Sequence, residues 1–146
     1  MDGITIRVTD AFYPLQEFFH RNNLEINLEQ HEPMGLIRMW EAVDEGGQRL
    51  GATKLENRSG ELVLSGIAVE EAARHRKLGS ALLETALAHC RTLGCPRLLL
   101  VARAPAFFKR AGFQQLPMED YGHITKCYTC TQRGSDCFPE LLYMDL

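Results

Sequence analysis

The stretch that most constrains this chain runs from Gly60 to Gly79, GELVLSGIAVEEAARHRKLG. Leu62 to Val69 is almost continuously apolar, which predicts a central strand buried on both faces. A short polar loop comes next, then the first turn of an amphipathic helix. Arg74, His75, Arg76 and Lys77 crowd that loop just ahead of Gly79 and Ser80. A helix start leaves its first backbone N–H groups without intrahelical acceptors and carries the positive end of the helix dipole. A strand feeding such a start through a cationic loop is suited to holding phosphate. The same residues also describe a solvated basic helix start, and on this stretch alone the two readings weigh equally.

The residues beyond the loop narrow the choice. Leu78, Leu82, Leu83, Ala86, Leu87, Cys90 and Leu93 recur at helical spacing on one face, and Gly94 stands where a helix C′ glycine belongs. Arg97 to Ala102 predicts a short strand buried on both faces. A right-handed strand–helix–strand unit puts the loop and the strand ends on one rim of a sheet.

Upstream, Ile4 to Thr9 alternates as a strand with one buried face, and Asp10 is placed to cap a helix over Phe12 to Asn22. Leu24 to Pro33 reads as a short helix or a loop. Gly35 to Val43, Gln48 to Glu56 and Glu61 to Val69 read as an antiparallel meander, with turns at Asp44-Glu45-Gly46-Gly47 and Asn57-Arg58-Ser59-Gly60. Downstream, Pro105 suits the first turn of a brief helix over Ala104 to Ala111, stopped by Gly112. Phe113 to Leu116 and Leu141 to Leu146 are further strands. The fold class is α/β: a mixed, mostly antiparallel sheet with a parallel fourth and fifth strand joined by a crossover helix.

The 146 residues make one domain, 1–146, large enough for a core without staples. A net charge of −3 makes the basic loop a local feature and excludes a dedicated nucleic-acid binder. With no membrane-length apolar run and no signal-like start, a cytoplasmic protein with neither nucleic acid nor membrane as partner is expected. An odd cysteine count, five, argues against a disulfide framework, and Cys90 and Cys95 read as small buried hydrophobes.

Dinucleotide-binding loops need G-x-G-x-x-G and P-loops G-x-x-x-x-G-K-[ST]; neither pattern is present. Arg74-His75-Arg76-Lys77-Leu78-Gly79 instead resembles the R/Q-x-x-G-x-G/A loop of the GNAT acetyltransferase family, with Lys77 in place of the middle glycine. The family's A-x-x-F-Y-x-K-x-G-F segment is echoed by Ala104 to Phe113, APAFFKRAGF. Loop, crossover helix and this segment are in register over Leu36 to Phe113.

The resemblance implies that acetyl-CoA lies where the strand ending at Val69 splays from the one ending at Ala102. Ile67, Ala68 and Val69 would pair with the pantetheine arm, and an N–H near Ala68 would polarise the thioester carbonyl. Arg74, His75, Arg76, Lys77, Leu78, Gly79 and Ser80 would hold the diphosphate, with Phe107, Phe108 and Arg110 beside them. Two catalytic positions do not carry over. Phe108 replaces the family's tyrosine acid, and Val63 stands where many members carry a glutamate base. Ser65, Tyr121 and Tyr143 are the substitute hydroxyls, with water as the alternative, although Ser65 reads better as easing a bulge beside Gly66. Arg103 and Arg38 are candidates for an acceptor carboxylate; a solvated arginine is an equally good reading of each.

His123, Cys127, Cys130 and Cys137 have spacings that suit a tetrahedral zinc, but the second pair is irregular. Reduced thiols lining a lid are the favoured reading, so no metal is expected. The tail also resembles short amino-acid acetyltransferases of the N-acetylglutamate synthase type, which implies that 118–137 covers an acceptor pocket. The expected activity is acetyl transfer to a primary amine of an amino acid or similar small molecule. A protein amine as acceptor and a non-catalytic acyl-CoA or metal-binding module are the alternatives. Dimers are common in such families, and a homodimer stays open.

Overall fold

Hairpins joined by tight turns build the first half of the sheet. In this computed structural model, which describes residues 3–22, 24, 31–102, 104–121 and 140–146, β1 (Thr5–Thr9) pairs antiparallel with β2 (Leu36–Val43). β2 pairs with β3 (Arg49–Arg58), and β3 with β4 (Glu61–Val69). At the first turn the Asp44 carboxylate accepts the N–H groups of Gly46 and Gln48, both at 2.9 Å. The second turn is tighter than expected. Ser59 and Gly60 both take positive φ, 52° and 86°, the signature of a two-residue hairpin turn. β3 therefore runs on through Asn57 and Arg58, whose polar character had suggested a turn.

Helix α1 (Phe12–Arg21) comes after β1. Asp10 does not cap it: Ala11 is the N-cap, and its N–H bonds to Thr9 Oγ1 at 3.2 Å. Most of the ambiguous stretch from Leu24 to Pro33 lies outside the described residues. Beyond β4 come a 3₁₀ segment (Glu71–Arg76), the crossover helix α2 (Leu78–Thr92) and β5 (Arg97–Ala102). Helix α3 covers Ala106–Arg110, shorter than expected because Pro105 is its N-cap. β6 (Gln114–Leu116), a second 3₁₀ segment (Met118–Tyr121) and β7 (Glu140–Asp145) complete the order. The seven strands lie as β1-β2-β3-β4-β5-β7-β6, with β7 between β5 and the edge strand β6.

The two faces of this sheet are packed differently. On one, α2 and α3 bury Leu62, Leu64, Leu98, Leu100 and Leu142 under Leu78, Leu82, Leu83, Leu87 and Phe108 in one continuous core. Leu93, expected on the α2 stripe, is 40% exposed because it is the C-cap residue, where helical periodicity stops ahead of Gly94 (φ 72°). On the other face the apolar packing is divided. α1 sets Phe12, Leu15, Phe18 and Phe19 on Met39, Ala52 and Ala68, while Val63 and Leu99 form a separate cluster with Leu116, Tyr121 and Tyr143. No helix among the described residues is long and apolar enough to cross a membrane.

Candidate active site

The site starts from a failure of pairing. β4 and β5 run parallel but match only at Leu62↔Leu98 and Val63↔Leu99. Beyond Val63, no strand among the described residues pairs with that side of β4, while β5 stays fully paired with β7 from Arg97 to Ala102. Below the fork, Arg97 and Glu61 tie the two strands with an ion pair at 2.5 Å.

A bulge lies just above the fork. The β3–β4 register passes from Leu55↔Leu64 to Lys54↔Gly66, so Ser65 is the extra residue. One additional residue exchanges the faces: Leu64 packs under α2, whereas Gly66 receives the ring of Phe19 from α1. The expectation of Ser65 as a bulge residue is met. Its Oγ is buried and has no hydrogen-bond partner among the described residues.

The ladder also decides which main-chain groups face the split. Glu70 N–H donates to Leu50 O at 2.8 Å, so Leu50 and Glu70 form a hydrogen-bonded pair. Antiparallel pairs alternate, so Ala68 turns its N–H and C=O toward Ala52. Ile67 and Val69 turn theirs toward the split. The Ala68 N–H, expected near a thioester, therefore serves the sheet, and the main-chain groups open to the split are those of its two neighbours.

At the mouth of the split the chain turns into α2. The side chains of Arg74, Arg76, Lys77 and Ser80 are exposed; that of His75 lies outside the described set. Arg74 Nε donates to Val69 O at 3.1 Å, clasping the loop to the end of β4. Lys77 takes φ 58°, ψ 25°, the left-handed conformation that favours glycine, and no side chain caps the helix. Ala81 N–H makes the first bond back, to Lys77 O, which leaves the N–H groups of Leu78, Gly79 and Ser80 at an uncapped start. The Leu78 side chain is fully buried in the core, so its main chain alone is available here. A Cβ built on Gly79 would lie 3.6 Å from Phe107 and 3.8 Å from Val69, so α3, the loop and the strand end meet at this glycine.

Phe108 is buried, edge-on to Phe107 and Phe113 at 5.0 and 5.8 Å. Its ring supports α3 from within the core instead of reaching the cleft. Arg110 is exposed in the last turn of α3. Tyr143 OH donates to Gln114 Oε1 at 3.1 Å, and Tyr121 OH accepts from Arg97 at 3.4 Å; both sit by the paired base of the fork. Arg38 is on β2, separated from the split by β3, with its guanidinium 3.5 Å from His89 Nδ1 on α2. Burial, and then that guanidinium, hold the His89 imidazole below its ordinary range. Cys90 is fully buried and its thiol is pushed up to about 11, chiefly by burial, so it is an inert core residue. Arg103 and the zinc candidates His123, Cys127, Cys130 and Cys137 lie outside the described residues.

One group of residues had no place in the sequence reading. Lys54 and Glu56 on β3 are both 4% exposed, on the α1 face. Lys54 Nζ donates to Gln16 Oε1 at 2.9 Å and lies 5.6 and 5.7 Å from the ring centres of Phe12 and Phe19. Burial pulls its ammonium below the usual lysine range; Glu56 opposes that shift and Arg58 adds to it. Glu56 Oε1 accepts from Arg58 Nε at 2.5 Å. Both positions alternate with apolar ones, and alternation alone makes them look solvent-facing.

A split parallel pair thus opens onto an uncapped helix start with exposed cationic side chains. The sequence profile of the acetyltransferase (GNAT) family matches residues 5–113, and the chain belongs to that family. It is an acetyltransferase, and acetyl-CoA is the acyl donor of the family. No curated protein matches it in sequence. Among solved structures it is similar to a GNAT acetyltransferase from Staphylococcus aureus Mu50, at TM-score 0.74 and 19% identity over 98% of this chain and 99% of that one. It also resembles the ribosomal-protein-S18-alanine N-acetyltransferase of Escherichia coli, at 0.71 and 18% over 98% and 92%. A GNAT acetyltransferase from Elizabethkingia anophelis with acetyl-CoA bound aligns over 100% of both chains, at 0.63 and 17%.

Proposed function

We propose that the chain moves an acetyl group from acetyl-CoA to the primary amine of an amino acid or similar small molecule. The observation that carries this reading is the split itself. The β4 edge offers the Ile67 main-chain groups and the Val69 N–H to an extended arm, as an added strand would use them, while Val69 O is held by Arg74. From Val69 to Ser65 the edge spans roughly 13 Å at about 3.3 Å per residue. A donor anchored at the α2 start thus carries its acyl end toward the fork at Val63.

The residues present fit such a donor. The N–H groups of Leu78, Gly79 and Ser80 face the diphosphate, and Arg76, Lys77 and the loop as a whole supply positive charge. Arg74 holds the loop on the strand end, and Phe107 closes the side of the cleft against Gly79. An N–H of Ile67 or Val69 polarises the thioester carbonyl as charge develops on its oxygen. The Tyr143 hydroxyl already donates to Gln114 Oε1, and the departing thiolate takes its proton from solvent.

A small acceptor is favoured over a protein because both faces of the sheet carry packed elements next to the fork. The α2/α3 face is filled by one continuous core, and the opposite face is covered by α1 and the Met118–Tyr121 segment on either side of the fork.

The test measures CoA release with the proteinogenic amino acids, spermidine and a peptide beginning with alanine, alongside calorimetry with acetyl-CoA. Turnover on a free amino acid is expected. Turnover confined to the peptide would move the acceptor to proteins. Tight acetyl-CoA binding with no turnover on any amine would identify a regulatory acyl-CoA-binding module.

A further inference from the structure

The divided face of the sheet carries a polar seam where its two apolar clusters fail to meet. Glu56 lies directly opposite Val63 across the β3–β4 ladder, on the same face, and Val63 is the last residue paired at the fork. Side chains so paired stand about 5 Å apart at Cβ. Two buried polar atoms along this seam have no hydrogen-bond partner among the described residues: Ser65 Oγ at the bulge, and Nε2 of Gln16, a residue 2% exposed. A buried polar group normally finds a partner, so these orphaned atoms, one on the residue that binds Lys54 and one two positions beyond Val63 on β4, mark a place that receives a polar ligand.

We infer that Glu56 is the catalytic carboxylate that receives the ammonium group of the acceptor and takes its proton. This rests on the proposed course of acetyl-CoA along β4, which brings the acyl carbon to the fork. The acceptor enters over the seam, since the other face is closed by core. Glu56 removes one proton from the ammonium, directly or through one water. The freed nitrogen lone pair attacks the thioester carbonyl and the C–S bond breaks. The thiolate leaves with one proton from solvent, and the new amide nitrogen sheds its second excess proton to solvent. The balance is ammonium plus acetyl thioester giving amide, thiol and one proton, which Glu56 passes on. The other charged or titratable side chains on this face, among the described residues near the fork, are Lys54, Arg58, Glu61, Arg97, Tyr121 and Tyr143.

Two small probes of similar size separate this role from a structural one. Methylamine is almost wholly protonated at neutral pH and needs a base; hydroxylamine is mostly unprotonated and does not. Glu56→Gln should acetylate methylamine on the order of 100-fold more slowly than wild type, and hydroxylamine less than about 3-fold more slowly. Acetyl-CoA affinity by calorimetry should be unchanged. Equal losses on both probes, or no loss on either, overturn the inference. So does a wild-type protein that acetylates a free amino acid of the panel and neither probe. Should Glu56→Gln fail to fold, Glu56→Asp keeps the charge and should lose about 10-fold on methylamine with little change on hydroxylamine. Failure of the proposed function looks different: wild type then does not bind acetyl-CoA at the loop, or binds it and turns over no amine of the panel.

Discussion

Lys77 stands in a backbone conformation that costs an L-residue with a Cβ roughly 1 kcal/mol, at the position where the family pattern has a glycine. Its side chain is exposed there, beside the proposed diphosphate site. Lys77→Gly should therefore act in two directions. Unfolding by denaturant should show a gain of roughly 0.5–1 kcal/mol, while acetyl-CoA affinity falls several-fold as one cation is removed. A parallel fall in both would mean that the lysine is structural. Gly79 tests the same turn. Its Cβ would have ordinary contact distances, so Gly79→Glu should fold normally. A carboxylate there opposes the diphosphate and should cost about 2–3 kcal/mol of binding, on the order of 100-fold. Unchanged affinity by calorimetry would count against placing the diphosphate at this helix start. Neither the strain nor the available space could be read from residue types. The basic loop was legible because charge clustering is local, but φ at Lys77 is imposed by the 3₁₀ segment and the α2 start it must join.

At the scale of elements, the cleft exists because α2 lies flat on the sheet while β4 and β5 diverge. Gly51 on β3 permits that docking: a Cβ there would sit 2.8 Å from Leu82 Cδ1 and 3.4 Å from Leu78 Cδ2. Gly51→Val should lift α2, costing roughly 1–3 kcal/mol of stability and weakening acetyl-CoA binding through displacement of the loop. Thermal melts and calorimetry on this one variant check both effects; lost stability with intact affinity would show that loop and helix position are uncoupled. The α2 stripe from Leu78 to Cys90 was plain in the sequence because helical periodicity is a local signal. The two-residue hairpin at Ser59-Gly60 was misplaced by the polar run preceding it, since Asn57 and Arg58 look like turn residues and are strand. The place of β7 between β5 and β6 was not legible either, because pairing between distant segments leaves no local mark.

For the molecule as a whole, the buried Lys54 links stability to pH. Burial lowers its folded-state pKa below the unfolded value of about 10.4, so between the two the unfolded chain binds more protons. Stability contributed through Lys54 therefore rises as pH climbs through that window, and below it the cost of the buried charge is felt in full. The difference in unfolding free energy between wild type and Lys54→Met should shift toward wild type from about pH 7 to about pH 10. Denaturant melts at both ends of that range decide it, and a constant difference would show that Lys54 titrates normally.

What this sequence determined unaided was everything written in short-range pattern: the apolar strand, the cationic loop, the striped helix, the Gly94 stop and, through the order of these pieces, the family. The tertiary structure alone decided where β4 parts from β5, which main-chain groups of Ile67 and Val69 face the gap, and that Lys54 and Glu56 are buried. The reason is physical. Alternation along a strand separates two faces without saying which of them α1 will later cover, and a single bulge at Ser65 exchanges those faces partway along.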